Sequence, residues 1–295
     1  MYRFVIVLTI ITVALTGCGS SASDSGKTVP VILTSTTVLA DIVRNIAGDR
    51  VEVESLLPIG TDPHSYQPTP QDVAKFAKSK LLIINGADYE QFLESLLENA
   101  GGERTTLEAS AGIHPREEAG SVDPHLWLDP NNVIRYVENI RDGLIQFDPA
   151  GEAVYKTNAD TYLRQLTELN AWIDEQVQQI PAEKRLLVTN HEALGYFAER
   201  YGFTVVGTVI ESFSSDASPS AQQMAGLIDQ IKASRAPAIF LDAGDNMSLA
   251  QQIADETGVR VVTDLHLESL TNGVPAATYL DMMKHNVTQI VKALK

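Results

Sequence analysis

The chain has 295 residues, of which 44% are hydrophobic and 20% charged, and its formal net charge is −16. This composition is that of a globular protein with one large or two medium-sized domains. The acidic balance excludes nucleic acid as an expected partner, because phosphate binding needs a basic face, and the single cysteine, Cys18, excludes an internal disulfide or a multi-thiolate metal site.

The N-terminal residues have the order of a secretion signal. Arg3 precedes an apolar stretch over residues 4–15 that is too short to span a bilayer comfortably. The stretch ends in Leu-Thr-Gly-Cys, which resembles the bacterial lipobox and implies a lipid on Cys18. We therefore expect a lipoprotein signal peptide over residues 1–17, a membrane anchor at Cys18 and a flexible polar tether over residues 18–29.

Two sets of alternating strands and helices follow the tether. Short apolar or β-branched runs predict the strands, and amphipathic segments predict the helices. In the first set the strands are 31–34, 51–57 and 81–84, and the helices are 38–47, 71–79, 89–100 and 130–147. In the second set the strands are 186–189, 204–209, 238–241 and 259–262, and the helices are 192–201, 220–234, 248–257 and 276–294. The pattern predicts two α/β lobes with mainly parallel sheets flanked by helices, over residues 30–148 and 182–295.

A long helical segment lies between the two sets, over residues 149–181. Its apolar residues recur at steps of three and four, which is the spacing of one helix face. Two helices broken by a turn are the alternative, but no Pro or Gly lies between Glu152 and Ile180. Thirty helical residues would span roughly 45 Å, enough to run along two stacked lobes.

Three of the six histidines lie in polar segments just after or between predicted strands, where open α/β sheets place ligand sites. His64 and His125 each stand in an Asp-Pro-His triplet, and His191 stands at a strand-to-helix junction. Neutral imidazole is a good ligand for zinc and its neighbours, and three imidazoles leave one place in a tetrahedron for a carboxylate. The fold must bring these distant residues together. We expect His114 to be solvated and His285 to be a packing or surface residue.

Several segments resemble one family across essentially all of the chain after Cys18. Gly-Thr-Asp-Pro-His-Ser-Tyr, Asp-Pro-His-Leu-Trp-Leu-Asp-Pro and His-Glu-Ala-Leu-Gly-Tyr-Phe-Ala are similar to the signature segments of the zinc- and manganese-binding receptors of bacterial ABC importers. The C-terminal Leu-Glu-Ser-Leu and the later Ala-Thr-Tyr-Leu-Asp-Met-Met-Lys-His-Asn also resemble that family. The resemblance implies two α/β lobes joined by one long rigid helix, with the metal between them.

The resemblance also implies a ligand set. His64 and His125 match the two ligands of the N-terminal lobe, and His191 matches the third position. That position is histidine in zinc-type members and often glutamate in manganese-type members. Glu268 matches the fourth ligand best, with Asp264 as its competitor and His266 as a weaker alternative. Zinc is favoured, but the chain lacks the long acidic and histidine-rich loop of many zinc receptors, which leaves manganese open.

The function implied is capture of a divalent metal outside the cytoplasm by a lipid-anchored monomer, and its delivery to the permease of an ABC importer without catalysis. A metallohydrolase is one rival hypothesis. It needs an open coordination position and a general base, for which only Glu192 is a candidate, and the second histidine of His-Glu-x-x-His is missing. The other rival is an adhesin, a role described for similar surface lipoproteins, although no repeats or low-complexity binding segments are visible.

Overall fold

The structure, a computed structural model, describes residues 29–93, 96, 104–118 and 120–295. The predicted signal peptide, the lipidation site Cys18 and nearly all of the tether lie outside these residues. Within them, no helix is both long enough and apolar enough to cross a membrane.

The N-terminal lobe is built on a parallel sheet with the strand order β2-β1-β3-β4. Its strands are β1 (Val31–Thr34), β2 (Glu52–Ser55), β3 (Leu81–Ile84) and β4 (Thr105–Glu108). The two central strands carry continuous apolar runs, as expected of strands that are covered on both faces. The flanking helices are α1 (Thr37–Ala47), α2 (Pro70–Lys78) and α3 (Pro130–Phe147).

Three features of this lobe differ from the sequence prediction. Strand β4 was not predicted, because it is an edge strand with a mostly exposed Thr-Thr-Leu-Glu sequence that lacks an apolar pattern. An antiparallel hairpin formed by the two-residue strands β5 (Glu117–Glu118) and β6 (Ser121–Val122) was also not predicted. Strands of two residues are too short to show an alternating pattern in the sequence. Of the helix predicted over residues 89–100, residues 91–93 form a 3-10 turn, and residues 94, 95 and 97–100 lie outside the described residues.

The long helix α4 (Glu152–Val177) has 26 residues and spans about 39 Å. It begins three residues later than predicted, because Pro149–Gly151 forms a separate 3-10 turn. The predicted apolar stripe is buried along its whole length: Tyr155, Ala159, Tyr162, Leu166, Leu169, Ile173 and Val177. This stripe packs on α1 and α3 of the N-terminal lobe and on the last helix of the C-terminal lobe.

The C-terminal lobe repeats the architecture with a parallel sheet of order β10-β9-β7-β8. Its strands are β7 (Leu186–Thr189), β8 (Thr204–Thr208), β9 (Ala238–Asp242) and β10 (Arg260–Leu265), and its helices are α5 (Gly195–Tyr201), α6 (Ala221–Ser234), α7 (Met247–Thr257) and α8 (Tyr279–Leu294). Helix α5 begins later than predicted, since residues 191–194 form a turn. The predicted fold class, two α/β lobes joined by one long helix, is confirmed.

Candidate metal centre

Four side chains from separate segments converge where the two lobes meet. They are His64, His125, His191 and Glu268, and one potential ligand atom from each lies within 4.8 Å of all the others. The Glu268 Oε1 atom is 3.1 Å from the Nε2 atom of His125, 3.2 Å from that of His191 and 3.9 Å from that of His64. The Nε2 atoms of His125 and His191 are 3.4 Å apart.

These separations suit one small cation. In a tetrahedron with metal–nitrogen distances of 2.0–2.1 Å, neighbouring ligand atoms lie about 3.3 Å apart. Three of the four distances fall close to that value, and only His64 must move inward. The Nε2 atom of His64 is buried and has no hydrogen-bond partner among the described residues. Such an atom is costly to bury unless it binds something, and a cation would satisfy it.

The two Asp-Pro-His triplets fold locally in the same way. In each, an aspartate Oδ1 atom accepts a hydrogen bond from the backbone N–H of the histidine two residues later, over 2.9 Å for Asp62 and 3.0 Å for Asp123. This is the Asx turn that aspartate commonly makes. The remaining contacts differ, because Asp62 Oδ2 accepts from Ser215 Oγ over 2.7 Å, whereas Asp123 also binds the imidazole ring. Asp62 therefore stabilises its loop and joins the lobes.

Asp123 fixes the ring of His125. Its Oδ1 atom is 2.9 Å from the ring Nδ1 atom, and an ionised carboxylate only accepts, so Nδ1 carries the proton. The Nε2 atom is then turned toward the metal centre, an arrangement typical of metal-ligating histidines. Burial lowers the pKa of His125, but the charges of Glu268 and Asp123 outweigh burial and raise it to about 9. At neutral pH the imidazole of His125 is therefore protonated on both ring nitrogens when no metal is bound.

His191 and Glu268 follow the carboxyl ends of two strands of the C-terminal sheet. His191 comes two residues after β7, and the Thr189 hydroxyl donates to its carbonyl over 2.7 Å. Glu268 lies three residues after β10, and Asp242 at the end of β9 accepts from the backbone N–H groups of Leu267 and, over 3.2 Å, of Glu268. Burial, aided by the nearby charge of Glu268, raises the pKa of Asp242 to about 6.

Tyr89 determines which carboxylate oxygen of Glu268 is free to bind a metal. The Tyr89 hydroxyl donates to Glu268 Oε2 over 2.8 Å, which leaves Oε1 facing the three imidazoles. Burial raises the pKa of Glu268, but the histidines, His125 first, hold it well below its usual value. Burial and Glu268 keep the pKa of Tyr89 well above its usual value. The carboxylate is therefore ionised, its hydroxyl partner is neutral, and one oxygen is offered to a metal.

The lobes are tied together around the site. The indole Nε1 of Trp127 donates to the Leu267 carbonyl over 2.8 Å, next to Glu268. From the other lobe, the Tyr196 hydroxyl donates to the Asp123 carbonyl over 2.8 Å. A Cβ atom at Gly195 would approach Asp123 Oδ2 to 2.8 Å, so this position needs glycine for the aspartate to fit.

The remaining sequence candidates lie away from this cluster. Asp264 is exposed, and its Oδ2 atom is 3.6 Å from His285 Nε2. His266 is half-buried against the His285 ring, with 5.4 Å between ring centroids, and His114 is exposed. Glu192 is half-buried and is not one of the four converging residues.

Sequence reasoning missed the residues that support the four converging side chains. Asp123 was within reach, because it precedes its histidine by two residues in an Asp-Pro-His triplet, as Asp62 does in the other triplet. Tyr89 lies five residues after the carboxyl end of β3. Open α/β sheets place functional side chains near the carboxyl ends of their strands. Nothing in the sequence indicated that Asp242 would hold the Glu268 segment, since their contact depends on two neighbouring strands.

Comparison with known proteins identifies the family of the chain. Residues 32–293 match the family described as ZnuA, zinc-uptake complex component A, periplasmic. The manganese-binding lipoprotein MntA of Halalkalibacterium halodurans is 37% identical over 99% of this chain and 98% of its own. The iron-binding protein YfeA of Yersinia pestis is 34% identical over 92% of this chain and 88% of its own.

A solved structure extends the comparison to the fold. The periplasmic zinc-binding protein TroA from Treponema pallidum superposes with a TM-score of 0.84 and 28% identity, covering 90% of this chain and 99% of its own. The resemblance inferred from the sequence segments is thereby confirmed. The chain belongs to the ZnuA family, the metal-binding solute-binding proteins of ABC importers, whose members bind solutes and are not enzymes.

Proposed function

We propose that the chain captures one divalent transition-metal ion between its lobes, with His64, His125, His191 and Glu268 as the ligands, and delivers it to the permease of an ABC importer. The observation that carries the proposal is the convergence of three imidazole nitrogens and one carboxylate oxygen within 4.8 Å. A site with four protein ligands is closed, so it suits holding a metal rather than activating a water molecule.

Zinc is the proposed cargo. Three imidazoles and one carboxylate held to a single oxygen by Tyr89 form a four-coordinate donor set, the number and geometry that zinc prefers. A larger, carboxylate-rich site would favour manganese. Manganese is the competitor, since MntA is named for manganese, and YfeA, named for iron, extends the range of relatives beyond zinc.

The place of action proposed is outside the cytoplasm. The matched family is described as periplasmic and MntA as a lipoprotein, and Cys18 ends a segment that resembles a lipobox. We propose a lipid on Cys18, a tether over residues 18–29, lobes over residues 30–148 and 182–295 with a linking helix over residues 149–181, and a monomer.

Equilibrium dialysis followed by metal analysis tests the site. The chain without its signal peptide should bind about one Zn²⁺, the number that one four-ligand site allows. The variant His64→Ala/His125→Ala/His191→Ala should bind none. The matched control, His114→Ala/His266→Ala/His285→Ala, removes three histidines outside the cluster and should bind like the wild type.

Unchanged stoichiometry in the first triple variant would refute the ligand assignment. A competition titration between Zn²⁺ and Mn²⁺ then decides the cargo. Tighter binding of Mn²⁺ would overturn the zinc proposal and leave the site in place.

A further inference from the structure

Two adjoining cavities lie beside the metal centre. The larger has a volume of about 680 Å³ and is lined by His64 and Tyr89. The smaller, about 480 Å³, reaches Asp123. The same three carboxylate residues line both cavities: Glu118 of the β5–β6 hairpin, Glu192, and Glu211 after β8. We refer to these three residues as the acidic triad.

The acidic triad leaves this opening strongly negative. The described residues that line the larger cavity include one further carboxylate, Asp88, and no Lys or Arg. In the described part of the chain, no hydrogen bond or ion pair engages the side chains of Glu118 and Glu192, and Glu211 accepts one bond, over 2.9 Å, from Gln223. Two of the three carboxylates are therefore available to a cation.

Among the described residues that line the two cavities, one is an arginine, and it does not neutralise the acidic triad. Arg116 lines the smaller cavity, but its Nη1 atom is 2.8 Å from a Glu199 oxygen and its Nε atom is 3.7 Å from Asp123 Oδ2. Its charge is thus shared between two carboxylates that lie outside the triad.

A second observation links the triad to the metal centre. His64 lines the larger cavity, its side chain is only 9% exposed, and its buried Nε2 atom has no hydrogen-bond partner among the described residues. His125 and His191 are more deeply buried, at 0% and 2% exposure. His64 is therefore the imidazole that an ion arriving through this cavity meets.

We propose that Glu118, Glu192 and Glu211 form an outer-sphere binding site that concentrates hydrated divalent metal ions at the mouth of the cavity and passes them to His64. The inference rests on the proposed function and adds the route of loading. Clefts lined by charge of one sign focus the field and raise association rates of oppositely charged ions by 10-fold to 1,000-fold as an order of magnitude.

A third cavity, of about 280 Å³, is a poorer route. It is lined by His191 and Glu268 together with the carboxylates Asp62, Asp242 and Asp245. Each of these carboxylates accepts hydrogen bonds from backbone N–H groups that shape the site. Backbone N–H groups therefore occupy oxygens of these three carboxylates, which leaves those oxygens less accessible to an arriving ion.

Stopped-flow fluorescence measures loading directly, because the Trp127 ring lies 5.5 Å from the His125 ring. With Zn²⁺ and Mn²⁺ as probes at low ionic strength, the variant Glu118→Gln/Glu192→Gln/Glu211→Gln should bind with an association rate constant lower by about tenfold. Added salt should slow the wild type and have much less effect on the variant.

The matched control removes the same charge from a distant surface. Glu168, Glu175 and Glu183 are exposed residues on and after α4. Their triple replacement by Gln should leave the rate constant within about twofold of the wild type, because exposed charges beyond a Debye length are screened.

Equal rate constants and equal salt dependence in the two triple variants would overturn the proposal. Equilibrium binding by the wild type would in that case leave the proposed function standing, whereas no binding by the wild type would refute the proposed function itself. If replacement of Glu192 disturbs the adjacent ligand His191, the double variant Glu118→Gln/Glu211→Gln decides. It changes only exposed residues and should still lose about threefold in rate.

Discussion

Lowering the pH should weaken metal binding steeply, and His125 sets the slope. The pKa of this residue is raised to about 9 in the metal-free site by Glu268 and Asp123 against the effect of burial. The imidazole must lose its proton to bind a metal, so below that pH each bound ion displaces one proton from His125. Above pH 9 the His125 imidazole is neutral and contributes fully to metal binding. Below pH 9 the metal affinity falls about tenfold for each pH unit.

Between pH 8 and pH 6 this residue alone should lower the affinity by about a hundredfold, equivalent to about 2.7 kcal/mol. Glu268 adds little over this range, because its pKa lies well below its ordinary value and it stays ionised. Competition with a chelator of known pH dependence measures the affinity. Calorimetry in buffers of different ionisation enthalpy counts the protons released, and circular dichroism checks that the fold survives at each pH.

Release of about one proton or more per metal at neutral pH is the expected result. An affinity that stays flat from pH 8 to pH 6, with no proton release, would refute the reasoning about His125. It would mean that the imidazole is already neutral in the metal-free site.

Three further changes separate the support of the site from its ligands. Asp123→Ala removes the acceptor that orients His125 and should weaken metal binding by about 10–100-fold. The control Asp129→Asn alters a carboxylate that caps α3 and should keep the wild-type affinity. Equal affinities in the two variants would contradict the orienting role of Asp123. Tyr89→Phe removes the donor to Glu268 and should cost about tenfold in affinity by the same titration; no loss would show that the hydroxyl does not position the carboxylate. Leu166→Ala in the buried stripe of α4 should lower the free energy of unfolding by about 2–5 kcal/mol in urea denaturation without changing metal affinity, and a loss below about 1 kcal/mol would contradict tight packing there.

Local patterns in the sequence were sufficient to predict most of the fold. The alternation of apolar runs and amphipathic segments predicted the two parallel sheets, and the uninterrupted stripe from Tyr155 to Val177 predicted the long helix. These predictions succeeded because a buried strand or helix face imposes its period on neighbouring residues. Strand β4 was missed for the same reason, since an exposed edge strand imposes no such period.

The candidate metal ligands could be identified only in part from the sequence. The repeated Asp-Pro-His triplet and the histidine after β7 indicated His64, His125 and His191 as candidates. Sequence comparison favoured Glu268 over Asp264 but left both open. In the tertiary structure Asp264 on β10 lies near His285 and is exposed, whereas the loop after β10 brings Glu268 to the imidazoles, and this placement favours Glu268 as the candidate.

The sequence by itself determined the residue types that could bind a metal and the elements on which they stand. Only the tertiary structure determined that these side chains lie close together, because the packing of two lobes on one helix sets the distances between segments that are far apart in the sequence. It also revealed that Asp123 orients an imidazole, that Tyr89 occupies one carboxylate oxygen, and that Glu118, Glu192 and Glu211 share one opening. Contacts of this kind leave no periodic trace along the chain, since each joins residues whose spacing in sequence is arbitrary.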